Sequence, residues 1–374
     1  MKKVNISYHH QLRLRPTHLS LILLLALPAA LQAAPSASPA TSGTPKPAQP
    51  PASSTGTDII EKEVYATRDQ AGKFVLDHEE INMAPSPTGT INEALRSRSS
   101  IQFDLNSRNS MTGGDIHPPR ISIRGARHTD NNFLIDGVSN NNNMNPNGYY
   151  ESPGDGANIV PGGEAQAIFL DPDLLGSLTI YTSNIPVEYG DFTGGVIDAK
   201  IRDPRTDGFH GSIKYRYTSD HWARQHYHSD VASLTETTHS SNANYQPVFT
   251  RHQYGLSIES PLSSHIAALL TYSEIRSYTP RYDTTRFPEK HDYKQSNQNI
   301  LLKLSSFDIS NFKSSLTFVY APFERDGAMP ARRNGDYKIE GGGYRTTLDS
   351  EGKLSFGTLN LLLSYKHDDQ NRDG

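Results

Sequence analysis

The feature that most constrains this chain is a two-residue alternation that recurs through its second half. In Ile213-Lys214-Tyr215-Arg216-Tyr217 apolar and polar residues alternate strictly. The period returns at Tyr254/Leu256/Ile258, Ile266/Ala268/Leu270/Tyr272, Ile300/Leu302/Leu304, Phe312/Leu316/Phe318/Tyr320 and Leu359/Leu361/Leu363/Tyr365, with a weaker member from Tyr344 to Leu348. These are about seven two-faced strands. The connections are sorted as well. Pro261–Ser263, Asp308–Asn311 and Ser350–Lys353 are short, whereas Asp220–Val248, Ser277–Tyr293 and Pro322–Lys338 are long, and the two kinds alternate. A soluble β-sandwich alternates residues but has no reason to sort its loops; a membrane-crossing β-barrel does both. Tyr217, Tyr272, Tyr320 and Tyr365 then fall at the two interfaces, and Lys214, Arg216, Lys303 and Lys366 point into the lumen.

Composition agrees once this pattern is known. Only 35% of the 374 residues are hydrophobic, but a membrane barrel places apolar residues at alternate positions and never looks greasy in bulk. The 36 Lys+Arg against 40 Asp+Glu lack the basic excess of a nucleic-acid binder. With no cysteine there is no disulfide scaffold or cysteine zinc site. At the N-terminus Lys2, Lys3, Arg13 and Arg15 precede the apolar run Leu19–Leu31 and the small residues Ala29, Ala30, Ala33 and Ala34. That run is shorter than the roughly 20 residues a spanning helix needs, so residues 1–33 read as a secretory signal peptide. Residues 34–57, rich in Pro, Ala and Ser, read as a flexible linker.

A different grammar governs residues 65–205. Ile121/Ile123 closes with Arg124-Gly125, and Phe133–Ile135 closes with Asp136-Gly137, the pattern of a hairpin-like pair of strands with tight turns. Thr90–Arg96 reads as a short amphipathic helix with Thr90 as its N-cap, while Ile101–Leu105 and Leu178–Tyr181 read as strands. The blocks Ile123-Arg124-Gly125, Leu134-Ile135-Asp136-Gly137 and Val187–Gly190 followed by Thr193–Asp198, in this order, resemble the plug domain of TonB-dependent outer-membrane receptors. Tyr189, Gly190, Gly194 and Gly195 complete that signature.

The resemblance implies an α+β plug domain followed by antiparallel transmembrane strands, residues 206–374 being about seven of an expected 22. The chain is thus expected to be the N-terminal part of a longer receptor. By the same resemblance a TonB box lies within 58–64, with Asp58, Ile59, Ile60, Glu61 and Val64 adding as a strand to TonB. Arg124 is implied as the latch that locks the plug to barrel carboxylates. The implied partners are TonB with its energising complex, outer-membrane lipid and a small-molecule nutrient, ferric siderophore by default; no cofactor and no nucleic acid is implied. The alternative is a surface or secreted plug-based binder without transport.

Between the plug blocks, the run Asn140–Tyr150 is a candidate ligand loop, through Asn141, Asn142, Asn143, Asn145, Tyr149 and Tyr150. Amides supply donors and acceptors, and tyrosines flat faces with a polar tip. The same residues also suit any exposed turn. Catalytic signatures are absent: no Gly-x-Ser-x-Gly, phosphate loop or His-Glu-x-x-His occurs. His221, His226, His228 and His239 read as a solvated loop, and Asp171-Pro172-Asp173 lacks the further ligands of a calcium loop. No metal site is assigned.

Overall fold

Local chemistry builds the first subdomain. In the computed structural model, residues 69–70, 72–104, 107, 114–144, 164–222, 248–283, 289–309, 311–328 and 336–373 are described. All of them fall within one compact unit, Thr57–Gly374. β1 (Asp69–Gln70) turns through Gly72, at φ +86°, into β2 (Lys73–Asp77). Asp77 then caps α1 (His78–Met83): its side chain accepts from the Glu80 amide while Glu80 reaches back to the Asp77 amide. This reciprocal cap satisfies two otherwise orphaned donors. The Asp-x-x-Glu spacing announces it, yet the helix is missed by a search for apolar periodicity because it buries a single side chain, Ile81.

The expected helix at Thr90–Arg96 forms as a 3-10 turn, Ile91–Ser97, and Thr90 does not cap it. Instead the Thr90 hydroxyl bonds Thr88, and both faces of the turn are buried. Asn92 and Glu93 tolerate burial because Asn92 donates to the Pro119 carbonyl and Glu93 is held by Arg96. Next come β3 (Ile101–Phe103), β4 (Ile121–Ile123), β5 (Asn132–Ile135), β6 (Val138–Ser139), β7 (Leu175–Tyr181) and β8 (Val196–Ile201).

The anticipated pairing of the Ile121 and Phe133 strands does not occur. β4 pairs with β3, whereas β5 lies in a six-stranded sheet of order β1-β2-β7-β8-β5-β6, parallel to β8. A 3-10 turn, His128–Asp130, separates β4 from β5, and the buried Asn131 ties them by donating to the Ile121 carbonyl at 2.9 Å. Both glycine turns are as expected: Arg124 and Gly125 have φ +54° and +80°, and Asp136 and Gly137 have +49° and +74°. Two consecutive positive φ values are what a two-residue hairpin turn requires, here joining β5 to β6.

The second subdomain is an antiparallel meander of β9 (His210–Ser219), β10 (Thr250–Pro261), β11 (Ile266–Asp283), β12 (Glu289–Ile309), β13 (Phe312–Ala328), β14 (Asp336–Leu354) and β15 (Gly357–Asp373), each bonded to the next, with β9 and β15 at the edges. All seven expected strands are present. They are longer than the alternation suggests: β11 and β12 reach Asp283 and Glu289, deep inside a stretch that reads as loop, and β13 and β14 do the same at Ala328 and Asp336. Polar hairpins continue past the apolar band, where hydrophobic alternation no longer reports them. The third short turn is also displaced. Ser350–Lys353 are paired strand residues, and the chain reverses between Leu354 and Gly357.

The facing assignment holds. Ile213, Tyr215, Leu302, Leu316, Leu361, Leu363 and Tyr365 are exposed on the outward face, while Leu269, Leu301, Val319 and Ala321 are buried against the first subdomain. Arg substitution on a lipid face costs about 2–4 kcal/mol at mid-bilayer and less near the interface. Leu302→Arg should therefore abolish assembly, measured as the heat-modifiable folded band, and Tyr215→Arg should impair it more than Arg216→Ala. Equal behaviour of the two neighbours would refute this facing.

Candidate functional site

The first subdomain lies against the inward face of the long-stranded sheet, and the contact between them carries most of the buried charge. Inward lysines and arginines reach acceptors on the first subdomain. Lys214 Nζ lies 2.6 Å and 2.9 Å from the Asp173 carboxylate, and Arg216 donates to the Ser86 carbonyl at 3.1 Å. Lys303 Nζ meets both the Ile201 carbonyl and Asp203 at 2.8 Å. Arg345 donates to Asn140 Oδ1 at 3.0 Å, and Lys366 donates to the Ser139 carbonyl at 3.2 Å. One pair runs the other way, Arg202 to Glu259 at 2.8 Å. A charge removed from water needs such partners, since a lone buried ion costs several kcal/mol.

Amides satisfy the backbone between the charges. The segment 166–171 forms no strand yet is buried, and a buried backbone polar group needs a partner. Asn297 and Asn299 both donate to the Phe169 carbonyl, at 3.2 Å and 3.0 Å, and Asn299 Oδ1 accepts from the Asp171 amide at 3.0 Å. Beside this ladder Phe169 stacks on Phe323 with centroids 4.7 Å apart, and His117 meets both rings edge-on. Asp171-Pro172-Asp173 thus has structural work: Asp171 caps the turn through the Asp173 amide, and Asp173 receives Lys214.

The signature residues have separate duties. Ile123 and Ile135 are core residues, 0% and 1% exposed, with Leu134 packed nearby beside Tyr181 and Val196. Gly195 permits a close approach, for a Cβ there would stand 2.6 Å from Ile123 Cδ1 and 2.8 Å from the Tyr181 carbonyl. Tyr189 packs on Tyr181 at 5.1 Å, and burial raises its phenol above the ordinary value. The Gly190 carbonyl accepts from Asn132, and Gly194 donates to the Asp130 carbonyl. Asp136 accepts from the Ile201 amide at 2.9 Å, and Asp198 accepts from the Gly137 amide at 3.3 Å. Burial raises both carboxyls, Asp136 to about 6, with Lys303 opposing the rise.

Other expected site residues are not gathered here. Arg124 is exposed in its turn and forms no ion pair among the described residues. Asn141 is engaged internally, accepting from the Phe133 amide and donating to Asn132; Asn142 is buried and accepts from the Met144 amide. Asn143 is exposed. Asn145, Tyr149, Tyr150, His226, His228, His239 and the segment Asp58, Ile59, Ile60, Glu61 and Val64 lie outside the described residues.

A small domain is thus seated on the inner face of an outward-apolar meander, with its glycine signature at the core. Residues 68–196 match the TonB-dependent Receptor Plug Domain. That segment is thus similar to the plug domains of TonB-dependent receptors, and the likeness extends beyond it into an outer-membrane transporter. The chain is 30% identical over 293 residues to the uncharacterized protein YddB of Escherichia coli (strain K12), an alignment covering 77% of this chain and 37% of YddB. The crystal structure of that outer-membrane transporter superposes with a TM-score of 0.69 at 29% identity, covering 80% of this chain and 39% of the other. The ferric enterobactin receptor PfeA of Pseudomonas aeruginosa (TM-score 0.53, 13% identity, 81% and 42% covered) shares the fold. So does the siderophore receptor PirA of Acinetobacter baumannii (0.51, 15%, 83% and 41%). The chain spans less than half the length of each of these relatives.

The buried carboxyl of Asp136 sets a pH dependence. Its folded value lies above the ordinary 3.8, so between about pH 4 and pH 6 the folded plug holds a proton that the unfolded chain releases. The group's contribution is therefore most favourable below pH 4 and is lost as pH rises through 6, by at most about 3 kcal/mol. Asp136→Asn keeps the Oδ1 acceptor for Ile201 and should flatten this dependence. Amide hydrogen exchange over residues 196–201, corrected for intrinsic rates, reads it directly.

Proposed function

We propose that this chain is the plug and the first barrel wall of a TonB-dependent transporter in the outer membrane of a Gram-negative bacterium, exported by the signal peptide at residues 1–33. The observation that carries the reading is the plug held by charges and amides against a wall whose other face is apolar. Such a wall lets a receptor bind a scarce nutrient on one side and remain closed until the plug is displaced. The short-turn end, at Pro261–Ile266, Ile309–Phe312 and Leu354–Gly357, then faces the periplasm. Strand addition by the segment Asp58–Val64 to TonB would supply the displacing force. Arg124, exposed in its turn, is free to latch onto carboxylates of further barrel strands, and Asn143, Asn145, Tyr149 and Tyr150 remain the loop candidates for ligand contact.

Ferric siderophore is the nutrient class we favour, supported by the siderophore receptors among the structural neighbours. Deleting Asp58–Glu63 in the full-length receptor discriminates transport from simple binding. With ferric enterobactin as the first probe, uptake into cells should be abolished while binding to the same cells is retained. Uptake that survives the deletion would rule out this TonB segment, and binding with no uptake even in the intact receptor would favour a plug-based binder.

A further inference from the structure

The seam between plug and wall is not uniform. Toward β11–β13 it is dry: Leu269, Leu301, Val319 and Ala321 join the core of the plug itself. At the short-turn end, under β12 to β15, the two subdomains part around a cavity of about 450 Å³. Its walls mix polar and apolar surface and carry many charged groups, Asp136, Asp198 and Lys200 from the plug and Lys303, Asp349 and Glu351 from the wall. Asp349 and Glu351 form no ion pair among the described residues. Carboxylates left in this way require water, and the volume is many times what one water needs.

Toward the long-loop end this cavity is closed first by charged residues and, beyond them, by the apolar cluster of Phe169, Phe323 and Ile339. Going up β14, the next inward residue after Asp349 and Thr347 is Arg345, 2% exposed. Its Nη2 donates to Asn140, but Nη1 finds no acceptor among the described residues. On β15 beside it Lys366 donates to the Ser139 carbonyl and lies 3.4 Å from Asp368. A buried guanidinium held by a neutral amide and left half satisfied gains from hydration, whereas an apolar seam loses by it. The wet flank is therefore the one with least to lose on opening.

We propose that the solute route through this receptor runs along β14 and β15, with the cavity as a standing hydrated half-channel and the Arg345–Asn140 and Lys366–Ser139 contacts as its gate. The inference rests on the transport reading and specifies where in the seam a polar, hydrated solute passes. The plug then needs to shift only on this flank, with the dry flank and the Lys214–Asp173 pair left in place.

The test uses the full-length receptor in planar lipid bilayers, with potassium chloride as the probe and neither TonB nor nutrient present. Wild type should be silent. Arg345→Ala should show stable open conductance levels, Arg345→Lys, which keeps a donor for Asn140, should remain closed, and Lys214→Ala, which breaks an ion pair away from the cavity, should remain silent. Joining Ser139→Cys to Lys366→Cys with a short bis-maleimide in the Arg345→Ala background should restore silence. Where Arg345→Ala does not give the heat-modifiable folded band, Lys366→Ala is read in its place. Silence of the assembled gate variant, or equal conductance from Lys214→Ala, overturns the route. Because conductance needs no energy coupling, a failure of the uptake reading shows separately, as ferric enterobactin left outside cells carrying a receptor whose gate behaves as described.

Discussion

A sheet that presents apolar side chains outward must place every polar group of its wall inward, and there those groups need partners. The rest of the architecture follows from this requirement. Leu302 faces out and Lys303 faces in because adjacent strand residues alternate, so the lysine is committed to whatever lies inside the wall. What lies there is the Ile201 carbonyl and Asp203, at the point where the plug's last strand leaves its own sheet. The plug is thus the counter-charge of the wall as much as a stopper.

The polarity of these ties is consistent. Lys214, Arg216, Lys303, Arg345 and Lys366 are cations of the wall that meet carboxylates, carbonyls or an amide oxygen of the plug, and Arg202 with Glu259 is the reverse case. Pairs with well-placed carboxylates, such as Lys303, are fastened; Arg345, hydrogen-bonded to an amide oxygen and attracted by Asp368 and Asp136 only at longer range, is held less firmly. Such unevenness lets one element be retained and yet displaced, since the seam has strong and weak sides.

Much of this is legible in the order of the residues alone. The alternation in Ile213–Tyr217 and its repeats specifies seven strands, their order and the side on which each lysine lies, because a period of two is a direct image of a two-faced sheet. The Arg124-Gly125 and Asp136-Gly137 turns are legible because few residues accept positive φ. The charged hairpin extensions beyond Tyr278 and Arg325 are not, because paired strands bearing polar residues on both faces leave no hydrophobic period. α1 escapes for a related reason, its cap being present but its apolar face reduced to Ile81.

The sequence by itself therefore determined the class of the chain, the facing of its strands and the two glycine turns of the plug, all of which depend on neighbours a few residues apart. Only the tertiary structure decided the partners: Lys214 with Asp173, 41 residues distant, Asn299 with Phe169, 130 distant, and Arg345 with Asn140, 205 distant. It likewise decided that β5 lies parallel to β8 instead of pairing with β4. Hydrogen bonds and ion pairs of such separation leave no periodic trace in the chain, because any acceptor of suitable chemistry would serve and only packing selects one.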